Sequence, residues 1–239
     1  MTFENIFENV FERNQLNAYI TDRNMELFQK LMDLMLETNR HMNITAITEV
    51  EKIIPLHFAD CVKIAEKIPE NATVADIGCG GGFPILPLAI VRPDLRLVGI
   101  DSTEKKVRYV SETARKLGLN VNALTGRAED LAKELDKRQS FDVVVSRAVA
   151  RLNMLNELCM PFVKVGGQFI AMKGAAGLEE YAEAKNGIQK LGGVLQEIDE
   201  YELHTCNQPE KRVTIIIRQN LIIPETYPRA FGSIKKKPL

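Results

Sequence analysis

The chain has 239 residues, 45% apolar and 26% charged, with a formal net charge of −1, an ordinary globular composition that neither demands nor forbids a nucleic-acid partner. No run of about eighteen uncharged apolar residues exists, so no transmembrane helix is expected, and the acid-bearing start MTFENIFENVFERNQL lacks the basic lead of a secretory signal. Cys61, Cys79, Cys159 and Cys206 are scattered and His41, His57 and His204 share no metal-ligand spacing, which points to free thiols in a reducing cytoplasm and to no bound metal.

Taken in chain order, residues 1–70 read as a small helical N-terminal region. In NMELFQKLMDLMLETNR, Leu27, Phe28, Leu31, Leu34 and Met35 form a one-sided apolar stripe, with Thr21, Asp22 and Asn24 as candidate N-caps. A further helix is expected from Thr48 to Lys67, interrupted near Pro55, before IPENA breaks the pattern. Over residues 71–220 the rhythm changes to apolar strands alternating with helices. TVADIG, LRLVGID, NVNALTG, FDVVVSR and GQFIAMKG each precede a helical stretch, the third of these being AEDLAKELDKR. That alternation predicts an α/β domain with a mostly parallel, doubly wound sheet whose strands are covered on both faces. GVLQEIDEYELH and RVTIIIRQ have no helix between them, and TCNQPEK is too short for a parallel crossover, so an antiparallel C-terminal hairpin closes a seven-stranded sheet. Residues 221–239 form a basic C-terminal tail carrying Arg229, Lys235, Lys236 and Lys237, either a solvated end or an RNA-contacting arm.

The chemistry concentrates in TVADIGCGGGFPILPLAI. Ligands of open α/β sheets lie beyond the carboxyl ends of the strands, and Gly78, Gly80, Gly81 and Gly82 fall at the first strand-to-helix turn. Asp101 ends the next strand 19 residues after Gly82, the place from which an acid binds a ribose. The dinucleotide pattern G-x-G-x-x-G fails, because Phe83 or Ile85 stands at its third glycine, and no G-K-[ST] is present. The pattern is G-x-G-x-G after Asp76, which resembles the first motif of class I S-adenosylmethionine-dependent methyltransferases. An acid in that strand suits a cationic sulfonium better than a pyrophosphate, which wants an unopposed helix N-terminus. The third strand ends in TGRAED, where Ala128 and Glu129 are placed to read an adenine edge. The fourth ends in VSRAVAR, which sets Arg147 where a methyl acceptor approaches.

Absences narrow the acceptor. Ser146-Arg147-Ala148 replaces the Asn/Asp-Pro-Pro-aromatic run common in enzymes that methylate exocyclic amines, and Cys159 stands in a predicted helix as a small apolar residue. Guanine N7 carries a free lone pair and needs no general base, only alignment with the methyl group. No catalytic acid or base is therefore assigned. A small-molecule or protein acceptor, or a cofactor-binding scaffold without turnover, remains an alternative.

The stretches NRHMNITAI, HFADC, VADIGCGGGFPILPLAI, GIDSTEKKVRYV, TGRAED, VVSRAVA, AMKG and YPRAFGSIKKKPL together resemble the bacterial small-subunit ribosomal RNA guanine-N7 methyltransferases, the glucose-inhibited division protein B family, over nearly the whole length. The resemblance implies a Rossmann-like class I methyltransferase using S-adenosyl-L-methionine to modify one guanine of 16S ribosomal RNA or the small subunit, as a monomer without membrane or metal. It implies cofactor contacts from Gly78, Phe83, Ala128, Glu129 and Arg147, with Asp101 or Ser102 near the ribose and Asp76, Gly80 and Gly82 in the motif. Asn39, Arg40, His57, Arg147, Lys173 and Arg229 become candidate RNA contacts, although His57 reads equally well as a core histidine. Cys61 and Ile85 depart from the family pattern, where serine and a small residue are usual.

Overall fold

The computed structural model describes residues 2–239. Two helices open the chain, α1 (Phe3–Arg13) and α2 (Asp22–Asn39), each started by a threonine whose hydroxyl accepts an amide three residues on, Thr2 from Asn5 and Thr21 from Asn24. Of the three candidate caps for α2, Thr21 takes the position. The next helical passage is composite, α3 (Val50–Ile53), a π-helical turn (Ile54–Ala59) and α4 (Asp60–Val62), and it loosens at Pro55, whose ring has no N–H to give the ladder.

The sheet strands are β1 (Thr73–Ile77), β2 (Arg96–Asp101), β3 (Val121–Thr125), β4 (Phe141–Arg147), β5 (Val163–Gly174), β6 (Gly193–Leu203) and β7 (Glu210–Gln219), in the spatial order 3-2-1-4-5-7-6. β1 to β5 run parallel, while β7 pairs antiparallel with both β5 and β6, so the expected C-terminal hairpin closes the sheet. The strand order reverses at β1, which has β2 on one side and β4 on the other, all three running the same way. This is the switch point where the parallel strands open a crevice at their carboxyl ends.

The crossovers are α5 (Ile85–Val91), α6 (Glu104–Leu117), α7 (Ala128–Leu131), α8 (Leu152–Cys159) and α9 (Gly177–Lys190), with α10 (Phe231–Lys236) at the end of the chain. α7 is a single turn, shorter than the helix expected over AEDLAKELDKR. The acidic and basic residues after Leu131 offer no apolar stripe to bury, and exposed Leu135 shows the consequence.

Strand alternation divides the core. Val143 and Val145 of β4 face the layer containing α1, α2, α5 and α6, whereas Val144 faces α8 and α9. On the first face the apolar cluster runs unbroken from Phe7 and Phe28 through Phe58 to Val74, Leu86 and Val110, so the N-terminal helices and the sheet share one core. Phe28 is its centre. It is fully buried, with ring centroids 5.4 Å from Phe7, 5.7 Å from Phe11 and 4.8 Å from Phe58. Phe28→Ala is expected to lower unfolding free energy by about 3–5 kcal/mol, the usual cost of a large aromatic cavity. A urea midpoint within error of the parent would show that the N-terminal helices are an independent appendage.

Candidate functional site

At the carboxyl end of β1 the chain turns through Gly78, Gly80 and Gly82 with φ of +76°, +52° and +86°, values that L side chains rarely adopt. A side chain at Gly82 would also strike Leu86 at 2.4 Å, and one at Gly78 would strike Val149 at 2.4 Å. Gly80 differs: its chain neighbours aside, only the Gly78 carbonyl, at 3.8 Å, lies within 4 Å of the space a Cβ would take, so bare backbone faces open room. The turn is tied to β2. Gly78 and Cys79 donate to the Ile100 carbonyl, and Asp101 accepts from Gly80 N–H at 3.0 Å and Thr103 N–H at 2.8 Å.

A cavity of about 460 Å³ opens over this turn, lined among others by Asp101, Ser102, Ala128, Glu129 and Phe83. It brings together Gly78, Gly80, Phe83, Asp101, Ser102, Ala128, Glu129, Arg147 and His57 of the expected site residues, while Gly82 shapes the turn from behind. Asp76 lies under the floor, fully buried, with neither carboxylate oxygen hydrogen-bonded. Burial raises its carboxyl to about 7; the Arg147 charge and the nearby Ile85 amide, which falls short of hydrogen-bond geometry, pull it back only in part. A buried, unpartnered acid beneath a glycine turn fits a cationic ligand above it.

Arg147 is mostly buried at the end of β4, and three of its five guanidinium donors are directed toward the composite helix. Nη1 donates to the Leu56 carbonyl at 2.7 Å and to Asp60 at 3.1 Å, and Nη2 donates to His57 Nδ1 at 3.2 Å. Asp60 also faces Arg212 at 3.3 Å and Tyr201 at 3.4 Å. His57 stacks on Phe83 with centroids 4.6 Å apart, and its Nε2 lies 2.8 Å from the Thr45 hydroxyl. Because Nδ1 accepts from Arg147, the ring proton resides on Nε2 and goes to Thr45. Desolvation first, and the Arg147 charge second, push His57 down to about 3.

The other expected RNA contacts are placed differently. Asn39 spends its side chain on its own loop, accepting from Ile44 and Thr45 amides and donating to the Thr45 carbonyl. Arg229 is clamped to fully buried Glu157, with Nη2 to Oε2 at 2.6 Å and Nε to Oε1 at 2.8 Å. Both side chains are therefore engaged within the fold. Lys173 is buried, donating to the Ala150 carbonyl and Glu180, whereas Arg40 is exposed. The basic tail is ordered: Ile234 is fully buried, and Phe231 comes back to line the cavity, with Arg127 5.8 Å over its ring. Sequence reasoning missed Asp60, Phe231 and Arg212. HFADC was in view as a motif, but nothing in it says that its acid faces an arginine 87 residues away.

Among the described residues no group of three or more His, Cys, Asp or Glu is placed to hold a metal ion, and no helix is long and apolar enough to cross a membrane. The geometry around His57 makes a direct prediction. The folded protein binds its proton far more weakly than the unfolded chain, so this residue's stabilising contribution is complete above about 6.5 and is lost as pH falls toward 3. In ¹⁵N-detected imidazole spectra His57 should stay neutral, as the Nε2–H tautomer, from pH 8 down to about 4. A midpoint near 6.5 would mean that Arg147 and burial do not govern it.

Comparison with known proteins agrees with this architecture. The family pattern described as GidB, rRNA small subunit methyltransferase G, matches residues 24–211. A ribosomal RNA small subunit methyltransferase G from Brevibacillus brevis is 43% identical over 92% of this chain and 93% of its own length, and one from Clostridium novyi is 41% identical over 100% of both. Among solved structures, a SAM-dependent methyltransferase from Aquifex aeolicus superposes with a TM-score of 0.51 at 20% identity, covering 69% of this chain and 92% of its own. M. jannaschii TYW2 in complex with AdoMet gives 0.53 at 16% identity, covering 68% and 76%. Those two likenesses concern the fold, which is that of the class I methyltransferases. With the family pattern spanning most of the chain and full-length relatives above 40% identity, the chain belongs to the GidB family of small-subunit ribosomal RNA methyltransferases.

Proposed function

We propose that the chain binds S-adenosyl-L-methionine over the Gly78–Gly82 turn and methylates N7 of one guanine in 16S ribosomal RNA, by direct in-line displacement without a general base. The cofactor supplies an electrophilic methyl group on a cationic sulfur. Gly80 gives it backbone to lie against, Asp101 and Ser102 flank the ribose position, Ala128 and Glu129 border the adenine position with Phe231 opposite, and Asp76 balances the positive charge from below. Family membership carries the ribosomal RNA substrate.

The observation that favours N7 within that reading is the state of His57. It is the one imidazole lining the cavity, it is held neutral with both nitrogens engaged, and a group with a pKa of about 3 is a poor proton acceptor at neutral pH. An amine or hydroxyl acceptor must lose a proton; N7 has none to lose. Alignment and exclusion of water are then sufficient work for the protein.

The direct test is transfer of labelled methyl from S-adenosylmethionine to small-subunit RNA, followed by nuclease mapping and by chain cleavage with borohydride and aniline. One labelled guanine that becomes a cleavage site is expected; label confined to protein or small molecules would end the ribosomal RNA reading, and an uncleavable labelled base would end N7. A second measurement addresses the cofactor. The positive sulfonium favours ionised Asp76, so its affinity should weaken as pH falls below about 7, whereas S-adenosylhomocysteine, lacking that charge, should weaken less. Arg147, Asp101 and the thiols of Cys61, Cys79 and Cys159 surround this carboxyl, and burial pushes all three thiols up, away from neutral pH. Asp76→Asn should remove the difference between the two ligands' pH profiles in calorimetry. Identical profiles in the parent protein would refute the role given to Asp76.

A further inference from the structure

A second cavity, of about 690 Å³, adjoins the first and shares His57, Arg147, Ala148 and Val149 with it. Those residues form a wall at the end of β4 with the cofactor turn on one side. In-line displacement puts the acceptor on the side of the methyl group away from sulfur, so a nucleobase belongs in the second cavity. The volume is ample for an extruded purine nucleotide, since ligand pockets of roughly 300–1,000 Å³ are usual for molecules of this size.

The lining has mixed charge. A groove meant only for phosphate would be basic throughout; here Arg147, Arg151, Lys173 and Arg212 stand with Asp60, Glu180 and Glu210. Guanine asks for such a mixture. Its O6 and N7 accept, and its N1–H and N2–H₂ donate, so a carboxylate reads the donating edge, whereas adenine would present that carboxylate with an acceptor at N1.

The three carboxylates are not equivalent. Asp60 has one oxygen taken by Arg147 and the other facing Arg212 and Tyr201. Glu210 lies out in solvent, its side chain 47% exposed, and faces Arg212. Glu180 is only 15% exposed. Its Oε2 accepts from Leu152 N–H at 2.9 Å and faces Lys173 Nζ at 2.8 Å, while Oε1 has no hydrogen-bond partner among the described residues. Lys173 Nζ, bonded to Ala150 and Glu180, keeps one of its three protons free.

We infer that this cavity is the acceptor-base pocket and that Glu180 Oε1 accepts from the N1–H and N2–H₂ edge of the target guanine. The inference rests on the guanine-N7 reading above. During transfer N7 supplies the electron pair of the new N–C bond, and the C–S pair leaves on sulfur. The purine becomes a cation, its N1–H a stronger donor, and the protons all stay in place. The bond to Glu180 therefore strengthens as the methyl moves, which is the condition for an interaction to accelerate the chemistry as well as to select the base. Lys173, four residues short of α9, holds the carboxylate in position.

The test uses the whole protein and small-subunit RNA assembled by splinted ligation with guanosine, inosine or 7-deazaguanosine at the mapped position. Inosine lacks only the N2 amine. The parent enzyme should prefer guanosine to inosine by about 10-fold or more in kcat/KM, the worth of one hydrogen bond to a charged group. Glu180→Gln keeps an oxygen for Leu152 but loses the charge. It should fall by about 10- to 100-fold on guanosine, chiefly in kcat, and lose most of the discrimination, with cofactor affinity unchanged. Equal rates on guanosine and inosine by the parent enzyme would overturn the assignment without recourse to any variant. So would parental kinetics in Glu180→Gln, or a loss of cofactor binding and thermal stability in step with activity. Methylation of the 7-deazaguanosine RNA would instead refute the N7 reading, and the guanosine–inosine pair would still judge Glu180.

Discussion

The arrangement depends on one buried cation. Bringing a guanidinium inside costs several kcal/mol unless its charge is paired and its donors are answered. Arg147 answers three of its five donors from a single turn of backbone, with the Leu56 carbonyl, the His57 ring and the Asp60 carboxylate, the last of which also balances its charge. The turn can offer all three because it is π-helical: the Asp60 amide reaches back five residues to Pro55. From His57 the chain of contacts passes to Thr45, whose loop is closed by Asn39, and the neighbouring Ile44 packs its Cγ2 2.6 Å from the place a Cβ on Gly81 would take. The end of β4, the N-terminal helical region and the glycine turn are thus positioned by the same charge. Removing it would disturb the cofactor turn without touching a single glycine.

The electrostatics also explain which kind of ligand this crevice suits. Helix N-termini beside glycine turns generally attract phosphate. Here Asp76 lies beneath the turn and Asp101 beside it, and Asp60 offsets Arg147 at the back. A pyrophosphate would meet two carboxylates at close quarters, whereas a sulfonium would have them as counter-charges, although Lys106, Arg127 and Arg147 also line the cavity. On both sides of the Arg147–Val149 wall cations and carboxylates stand together.

Much of this was legible in the amino-acid sequence, for identifiable reasons. Strands such as FDVVVSR are read easily because burial on both faces leaves no polar position to confuse the pattern, and the short TCNQPEK connection excludes a parallel partner on length alone. The glycine turn and Asp101 are local in sequence, so spacing places them. Asp60, Arg212, Tyr201 and Glu180 were not legible, because they meet only after α4, α9, β6 and β7 come together at one end of the sheet, and single charged residues carry no periodic signal. The shortness of α7 was missed for the opposite reason: AEDLAKELDKR has good intrinsic helix propensity, which tertiary packing declined to use beyond Leu131.

The C-terminal tail shows how composition alone misleads. YPRAFGSIKKKPL reads as a loose basic arm, yet three of its residues anchor it: Arg229 to Glu157 beneath α8, Ile234 in the core, and Leu239 against Gly187 of α9. Glu157 is fully buried, so without Arg229 it would be an uncompensated charge, and the pair holds the tail as firmly as the tail satisfies the pair. With the anchors set, Phe231 is delivered to the cavity over the Arg127–Ala128 turn, and Lys235 follows one helical turn later on the same side. A wandering arm would lose conformational freedom whenever it met a polyanion; a strapped one has already lost it in folding. The charges of the tail are therefore fixed relative to the glycine turn.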